Sequence, residues 1–276
     1  MRIIAHLSDL HFGRIDARVV EGLLHDLSAA PPNLIVISGD LTQRAKHDQF
    51  AAARRFLDSL PAPFLVIPGN HDLPPVWRPV SRMTRPWERY SRYVTSDLGP
   101  VYADPHMIVL GVNTARALRW KEGSISPRQI ERVAELLGPY EPSMFKVVCT
   151  HHPFLPPPDA PETGLVRRAR RALRTFEQVG VDLLLAGHLH RAYTGDVVTH
   201  HAVIKRSILV AQASTATSTR LRAEPNAYNW IALDGDTLHL QSRVWDGTRF
   251  VSGAGEGFRK TDGQWVQLSG APMPVE

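Results

Sequence analysis

Five short polar clusters, each directly after an apolar run, contain the residue types from which metal sites are built. They are Ser8-Asp9-Leu10-His11, Ser38-Gly39-Asp40, Pro68-Gly69-Asn70-His71-Asp72, Thr150-His151-His152-Pro153 and Ala186-Gly187-His188-Leu189-His190. A single Asp-x-His or Gly-Asp pair is usually an ordinary loop. Alternate residues on an extended loop, as in Gly-His-x-His, can aim two imidazoles toward neighbouring ions. Five such clusters in order make coincidence a poor explanation and predict metal chemistry.

The donor types narrow the choice of metal. Carboxylate and imidazole groups without thiolate favour Mn²⁺, Fe or Zn²⁺ in mixed N/O coordination and argue against a cysteine-rich structural zinc site. The one cysteine, Cys149, lies in an apolar run and is interpreted as a core residue. Gly39, Gly69 and Gly187 each precede a candidate ligand, where we expect a tight turn or a close approach of the backbone.

The apolar runs that precede these clusters predict buried strands, because they are continuous rather than alternating. They are Ile3–Leu7, Leu34–Ile37, Phe64–Ile67, Phe145–Cys149 and Val181–Ala186. Between them, apolar residues recur at helical spacing. The predicted helices cover Arg18–Ser28, Asp48–Leu60, Gln129–Leu137 and about Gly164–Val179. Open α/β sheets bind ligands at the carboxyl ends of their strands, so we expect the polar clusters to meet there.

The sequence pattern changes after about residue 190, from alternating strands and helices to successive strands. Four strand-like segments follow residue 190, at about Tyr193–Val198, Ala202–Ala211, Tyr228–Leu233 and Thr237–Val244. They predict a second sheet built largely from the C-terminal half, with a contribution from Met107–Val112. No repeat or low-complexity linker divides the chain. We therefore expect a single α/β domain over residues 1–276, in which residues from about 192 to 276 complete the second sheet and a tail.

Composition sets the class of protein and of partner. The 276 residues are 43% hydrophobic and 21% charged, as in globular proteins, and the formal charge of +5 favours anionic partners. One cysteine excludes an intrachain disulfide and suits a reducing compartment. The N-terminus does not have the pattern of a signal peptide, and no run approaches the roughly 18 apolar residues of a membrane span. We expect a cytoplasmic protein without a transmembrane segment.

The order Asp-x-His, Gly-Asp, Gly-Asn-His-Asp, His-x-Pro and Gly-His-x-His resembles the calcineurin-like metallophosphoesterases. Within that superfamily it is most similar to the bacterial class III cyclic nucleotide phosphodiesterases and glycerophosphodiesterases. The resemblance spans residues 3 to 190, and all motif positions are filled. It implies a four-layer α-β-β-α sandwich with two facing mixed β-sheets. It also implies two bound metal ions, divalent or trivalent, with manganese and iron favoured over zinc.

The resemblance also implies a role for each polar residue. One ion would be bound by Asp9, His11, Asp40 and His190. The other would be bound by Asp40, Asn70, His151 and His188, so that Asp40 bridges the pair. His151 is preferred to His152 because the family's motif places the ligand two residues before the proline, and His152 is left to the outer shell. His71 would face the substrate as a catalytic group, and Asp72 would orient its loop.

The implied reaction is hydrolysis of a small anionic phosphodiester, a 3′,5′-cyclic nucleotide or a glycerophosphodiester, by metal-activated water. Three alternatives stay open: a DNA exonuclease of the same superfamily, a phosphomonoesterase, and a non-catalytic scaffold. Nucleic acid is a less favoured partner because such nucleases carry extra domains. The family contains dimers, so a homodimer is a further expectation.

Three segments outside the motifs have two interpretations each. The aromatic and cationic stretch Pro74–Asp97 is either a lid over the metals or an amphipathic insertion that packs on the shell. The arginine cluster of residues 167–174 is either a solvated helix face or a surface for nucleic acid or anionic lipid. The Ser/Thr-rich stretch Ser214–Thr219 either contacts substrate or is a simple loop.

Overall fold

The computed structural model describes residues 1–119, 121–201, 204–221 and 224–269. In chain order its strands are β1 (Arg2–Leu7), β2 (Leu34–Ile37), β3 (Phe64–Val66), β4 (Val101–Ala103), β5 (Met107–Val112), β6 (Phe145–Thr150), β7 (Leu183–Ala186), β8 (Tyr193–Asp196), β9 (Leu209–Gln212), β10 (Ala227–Asp234), β11 (Thr237–Trp245), β12 (Phe250–Thr261) and β13 (Gln264–Gln267). Its helices are α1 (Ala17–Ala29), α2 (His47–Asp58), α3 (Pro79–Thr84), α4 (Glu88–Tyr93), α5 (Pro127–Leu137), α6 (Ala169–Gln178) and α7 (Val197–His200).

The strands form two mixed sheets. One has the order β13-β12-β11-β10-β1-β2-β3, and the other has the order β4-β5-β6-β7-β9-β8. In the first sheet β1, β2 and β3 are parallel, with Ile4 opposite Leu34 and Ile35 opposite Phe64. In the second, β5, β6, β7 and β9 are parallel. The parallel strands β1, β2, β3, β6 and β7 are those that end in the polar clusters.

Three apolar cores separate four layers. Leu23 of α1 and Phe50 of α2 pack with Ile35 on the outer face of the first sheet. Val36 and Val147 lie in a core between the two sheets. Val133 of α5 and Phe176 of α6 pack with Val148 on the outer face of the second sheet. Neighbouring residues of β2 and β6 thus point into different cores, and the predicted four-layer α-β-β-α sandwich is confirmed.

The prediction that the C-terminal half builds the second sheet was wrong. Strand β10 pairs antiparallel with β1, with Ile4 opposite Ile231, and β11 to β13 extend the first sheet from it. Only β8 and β9 of that half join the second sheet, whose centre comes from β5, β6 and β7. The predicted contribution of Met107–Val112 is correct. An alternating pattern identifies a strand and its buried face, but it does not specify which distant strand will be its neighbour.

Several element boundaries differ from the sequence-based prediction. Helix α6 begins at Ala169 instead of Gly164, because Arg168 has φ +71° and a left-handed residue cannot continue a helix. The segment predicted as Ala202–Ala211 forms a strand only from Leu209, and its residues 202–203 lie outside the described part of the chain. Residues 270–276 of the predicted tail also lie outside it. Strands β12 and β13 were not predicted.

The segment 74–97 divides into two short helices. Tyr90 of α4 is fully buried, and its ring lies 6.3 Å from the Phe50 ring of α2. This part packs on the shell, as one of the two interpretations predicted. Trp77, ahead of α3, remains 60% exposed. Among the described residues no helix is long and apolar enough to cross a membrane.

Candidate metal centre

The five polar clusters meet at one edge of the sandwich, where the carboxyl ends of strands from both sheets adjoin. The Nδ1 atom of His151, after β6, lies 2.8 Å from the carbonyl oxygen of Ser38, after β2. The backbone N–H of His188, after β7, donates to Asp9 Oδ2, after β1, at 2.8 Å. These contacts join the loops of the first sheet directly to those of the second.

Many of the candidate ligands have an unusual backbone conformation. Positive φ angles between 52° and 77° occur at Asp9, His11, Asp40, His188 and His190. For residues with a Cβ this left-handed region is sparsely populated and costs roughly 1–3 kcal/mol each, so the surrounding structure must hold them there. Such strain is typical of functional sites.

The glycines beside these residues allow the loops to approach each other. Gly39 has φ +106°, and a Cβ there would lie 2.7 Å from His151 Nδ1. A Cβ on Gly187 would lie 2.7 Å from Asp9 Oδ2, and one on Gly69 would overlap the Asp40 side chain. The predicted tight turn at Gly39 and close approaches at Gly69 and Gly187 are therefore present.

The first donor cluster is formed by Asp9, His11, Asp40 and His190. Asp9 Oδ1 lies 3.3 Å from His190 Nε2 and 3.6 Å from His11 Nε2. The two imidazole Nε2 atoms are 3.1 Å apart, and His11 Nε2 lies 3.7 Å from Asp40 Oδ2. All four side chains are buried.

The hydrogen bonds around this cluster turn acceptor atoms toward its centre. His190 Nδ1 lies 3.1 Å from the carbonyl oxygen of Arg220, so Nδ1 carries the proton and Nε2 presents a lone pair. Asp9 Oδ2 accepts hydrogen bonds from the Ser8 hydroxyl and the His188 N–H. Asp9 Oδ1 is buried and has no hydrogen-bond partner among the described residues. A cation would satisfy these converging acceptors.

The second donor cluster is formed by Asp40, Asn70, His151 and His188. Asp40 Oδ2 lies 3.5 Å from His151 Nε2. The Asn70 amide oxygen lies 3.1 Å from His151 Nε2 and 3.0 Å from His188 Nδ1. The Ser38 carbonyl holds one proton of His151 on Nδ1, so Nε2 is the nitrogen that faces Asp40 and Asn70 and that would bind an ion.

The spacing of these donors fits bound ions. Ligands about 2.0–2.2 Å from a metal lie roughly 2.8–3.6 Å from one another in octahedral or tetrahedral coordination. The separations in the two clusters run from 3.0 Å to 3.7 Å, within about 0.1 Å of that range. Asp40 Oδ2 takes part in both clusters, as a bridging ligand would.

The electric field of the buried carboxylates favours positive charge at this edge. Burial acts against the charged form of His151, but the Asp40 and Asp9 carboxylates outweigh it and raise the pKa of His151 to about 9. Burial likewise opposes ionisation of Asp40, yet the neighbouring rings of His151 and His71 hold its pKa well below the usual range. Burial lowers the pKa of His188 to about 3 and that of His190 as well, which leaves the neutral imidazoles that metals bind.

The remaining predicted site residues lie around the two clusters. Asp72 is fully buried and accepts hydrogen bonds from the backbone N–H groups of Leu41, Thr42 and Gly69, so it ties the loop after β2 to the loop after β3. The Nδ1 atom of His152 forms a hydrogen bond with the Thr114 hydroxyl at 2.8 Å. Its ring also joins those of His151 and His188 in a group whose potential ligand atoms lie within 4.8 Å of one another.

Both ring nitrogens of His71 form hydrogen bonds. Nδ1 donates to the carbonyl oxygen of Gln43 at 2.8 Å, and Nε2 accepts from the guanidinium of Arg220 at 3.3 Å. Its backbone N–H donates to Asp40 Oδ1 at 2.8 Å. Burial is the main cause that lowers the pKa of His71, so the neutral ring is its resting form. The ring therefore lies beside the donor clusters without belonging to either.

Sequence reasoning missed part of the site. Thr215 and Thr217 donate through their hydroxyls to the carbonyl oxygens of Asp9 and Leu10, at 2.6 Å and 2.9 Å. The Ser/Thr-rich stretch thus braces the loop that carries Asp9. Arg220, which follows this stretch, supplies its carbonyl to His190 and its guanidinium to His71. No motif marked Arg220, because its partners are 30 and 149 residues away.

The two facing mixed sheets and the buried Asp/His edge define an α/β sandwich with a candidate metal centre. The model of the calcineurin-like phosphoesterase family matches residues 3–192, and this chain belongs to that family. Family membership makes the protein a metallophosphoesterase, that is, a hydrolase with candidate metal-binding clusters at the edge where the strands end.

Two curated relatives are both named as glycerophosphodiester phosphodiesterases, one of them as probable. The glycerophosphodiester phosphodiesterase GpdQ of Enterobacter lignolyticus is 35% identical over 82 residues, which cover 25% of this chain and 29% of that protein. The probable glycerophosphodiester phosphodiesterase GpdQ of Arcobacter nitrofigilis is 24% identical over 210 residues, which cover 70% of this chain and 73% of that protein. The first of these matches thus spans less than a third of the relative's length.

Among solved structures, the purple acid phosphatase PPD1 of yellow lupin (Lupinus luteus) superposes with a TM-score of 0.67 at 12% identity. The match covers 92% of this chain and 53% of the lupin enzyme. At this identity the likeness concerns the fold alone, and it agrees with the two-sheet architecture.

Proposed function

We propose that this protein is a dinuclear metal-dependent phosphodiesterase that hydrolyses a small phosphodiester, either a glycerophosphodiester or a 3′,5′-cyclic nucleotide. The observation that carries the proposal is the position of Asp40, whose Oδ2 lies 3.7 Å from His11 Nε2 and 3.5 Å from His151 Nε2. One carboxylate oxygen between two imidazole Nε2 atoms suits a ligand shared by two ions. The names of both curated relatives support a diester substrate.

The proposed ligands divide between the two ions as the family resemblance implies. One ion is assigned to Asp9, His11, Asp40 and His190, and the other to Asp40, Asn70, His151 and His188. Nitrogen and oxygen donors without sulfur suit manganese, iron or zinc, and the family resemblance favours manganese or iron. Two such cations, when bound, lower the pKa of a shared water and hold phosphate oxygens for in-line attack.

The chain's own groups prepare the site for this chemistry. Asp9 and Asp40 offset part of the metal charge and leave a positive edge for an anion. The carbonyl oxygens of Ser38 and Arg220 orient the rings of His151 and His190, because each accepts the Nδ1 proton and turns Nε2 toward the centre. His71 faces the substrate. A phosphate beside it would raise its pKa and allow Nε2 to give a proton to the leaving oxygen.

The test is an assay of purified protein with Mn²⁺ on five substrates in parallel. They are bis(p-nitrophenyl) phosphate, glycerophosphoethanolamine, cyclic AMP, p-nitrophenyl phosphate and linear duplex DNA. Asp40→Asn removes the proposed bridge, and Asp48→Asn, at an exposed position of α2, is the matched control. We expect small-diester hydrolysis to exceed monoester hydrolysis and to be lost only in Asp40→Asn.

Other results would point elsewhere. Hydrolysis of p-nitrophenyl phosphate above both small diesters would make the protein a phosphomonoesterase, and degradation of DNA alone would make it a nuclease. Equal activity of Asp40→Asn and the wild type would contradict the assignment of Asp40. The predicted cytoplasmic location belongs to the same proposal and is supported by the single, buried Cys149.

A further inference from the structure

A small cavity adjoins His71 at the proposed metal edge. Its volume is about 240 Å³, and it is lined by Gln43, Arg44, His71, Leu73, Pro75, Trp77 and Arg220. Gln43 and Arg44 follow the Asp40 loop, and Trp77 precedes α3. Arg220 directly follows the Ser/Thr-rich stretch. The cavity therefore joins three loops that the catalytic motifs do not include.

The lining has two cationic side chains and no acidic one. Arg44 and Arg220 are permanently charged, and none of the described residues that line the cavity is Asp or Glu. Arg220 Nη1 donates to His71 Nε2 at 3.3 Å, which places its charge next to the donor clusters. The Arg44 guanidinium carbon lies 4.8 Å from the centroid of the Trp77 ring, which also lines the cavity. Such a cavity favours an anion.

Its size and shape limit what that anion can be. Ligand pockets usually have about 300–1,000 Å³, so a cavity of 240 Å³ suits a compact group. A nucleobase would have to displace Arg44 to stack on the indole face that Arg44 covers. The compact cavity has the charges of Arg44 and Arg220 and no carboxylate among its described lining residues. It therefore favours an acidic group over a planar base.

The backbone holds Arg44 in place relative to His71. The Arg44 N–H donates to Gln49 Oε1 of α2 at 2.8 Å, and the adjoining Gln43 carbonyl accepts from His71 Nδ1 at 2.8 Å. His71, which we propose as proton donor to the leaving oxygen, is thereby attached to the same backbone segment as Arg44. His71 and Trp77 both line the cavity, so the alcohol part of a diester released beside His71 would enter it.

We propose that this cavity is the leaving-group subsite and that Arg44 selects phosphodiesters whose leaving group has a negative charge of its own, such as a carboxylate. The inference rests on the proposed phosphodiesterase activity and names a substrate class for it. Arg220, beside His71, contacts the phosphoryl end of the substrate. Arg44, beside Trp77, contacts the second charge.

Two matched substrates test the selection. Methyl 4-nitrophenyl phosphate and methyl 3-carboxy-4-nitrophenyl phosphate release nitrophenolates that differ by one carboxylate. We expect the wild type to have about tenfold higher kcat/KM on the carboxylated diester, in line with a charge-assisted hydrogen bond in a half-open site. Arg44→Gln should remove that preference, so that its loss of kcat/KM is about tenfold larger on the carboxylated diester than on the uncharged one. Arg44→Lys should keep part of the preference.

Arg78→Gln is the matched control, because Arg78 is exposed in the neighbouring segment and does not line the cavity. It removes the same charge and should keep the full preference. An equal loss in Arg44→Gln and Arg78→Gln would reduce the effect to general electrostatics and overturn the subsite. Equal loss on both diesters in Arg44→Gln alone would place Arg44 on the scissile phosphate and also overturn it.

A binding measurement gives a readout that does not depend on turnover. The released alcohol, 5-hydroxy-2-nitrobenzoate, is titrated calorimetrically into chelator-treated wild type, Arg44→Gln and Arg78→Gln. Roughly tenfold weaker binding in Arg44→Gln alone supports the subsite, and identical binding in all three contradicts it. If the wild type hydrolyses neither diester, the proposed function fails. Hydrolysis of both without preference contradicts only the selection.

Discussion

The backbone N–H of His188 donates to Asp9 Oδ2 at 2.8 Å and joins residues 179 positions apart. The hydroxyl of Ser8 donates to the same oxygen at 2.6 Å. With Oδ2 satisfied in this way, Oδ1 is the oxygen that faces the ring nitrogens of His11 and His190. The contact thus connects the two sheets and aims a proposed ligand.

We expect Gly187→Ala to weaken metal binding. A Cβ at this position would lie 2.7 Å from Asp9 Oδ2 and would overlap the Ser8 side chain, so the His188 loop would have to move away from Asp9. Outer contacts of this kind are worth about 10–100-fold in metal affinity. Competition for Mn²⁺ with a fluorescent chelator measures the loss. Gly195→Ala, where the nearest side-chain atom is Leu155 Cδ1 at 3.2 Å, should bind Mn²⁺ as the wild type does.

His71→Ala should keep both metal ions and lose turnover by about 10²–10⁴-fold, the usual contribution of a general acid. His71 contacts Gln43, Arg220 and Asp40 but lies outside both donor clusters. Elemental analysis after gel filtration gives the metal content, and kcat on the best diester gives the activity. His25→Ala, on the exposed face of α1, is the control. Loss of one metal equivalent in His71→Ala would instead make His71 a ligand.

Removal of metal should lower thermal stability. Ions that bind only the folded chain stabilise it by about 4 kcal/mol at a thousandfold excess over Kd, and each kcal/mol shifts Tm by roughly 2–4 °C in a chain of this size. Scanning fluorimetry with EDTA and then with added Mn²⁺ measures the change. Asp40→Asn should respond much less than the wild type. A wild-type Tm that is indifferent to both treatments would contradict metal binding at this edge.

Asp246, in the turn between β11 and β12, should make the folding stability depend on pH in the acid range. This turn is remote from the proposed metal centre. Asp246 Oδ1 accepts hydrogen bonds from the N–H groups of Thr248 and Arg249 and from the Thr248 hydroxyl, and the backbone bond from Arg249 is the main cause that lowers the Asp246 pKa to about 2. Since the folded pKa is below the unfolded value of about 3.9, the ionised group stabilises the fold above pH 4. This contribution disappears as pH falls through about 2.

The difference in urea midpoint between wild type and Asp246→Ala, followed from pH 7 to pH 2, measures this contribution. We expect the difference to be constant above about pH 5 and to shrink below pH 4. A difference that grows toward acid pH would show that the turn is stabilised by the neutral form.

Local pattern was sufficient for most of the proposed ligand set. Apolar runs that end in Gly, Asp, Asn and His are short-range features, and parallel strands bring their carboxyl ends to one edge wherever they lie in the sheet. The residues at the ends of β1, β2, β3, β6 and β7 therefore come together as their types and order indicated. The helices α1, α2 and α5 likewise follow from apolar periodicity and, for α5, from the Ser126 cap.

The sequence pattern could not predict which distant segments lie beside each other. Alternation in β10 and β11 indicated strands, yet only packing decided that β10 would lie beside β1 and not in the second sheet. The same holds for Arg220, which meets His71 across 149 residues, and for Arg44, which meets Trp77. Short motifs reflect the geometry that neighbouring residues impose on each other, whereas the walls of the cavity depend on contacts between distant segments, which form when the sheets close on each other.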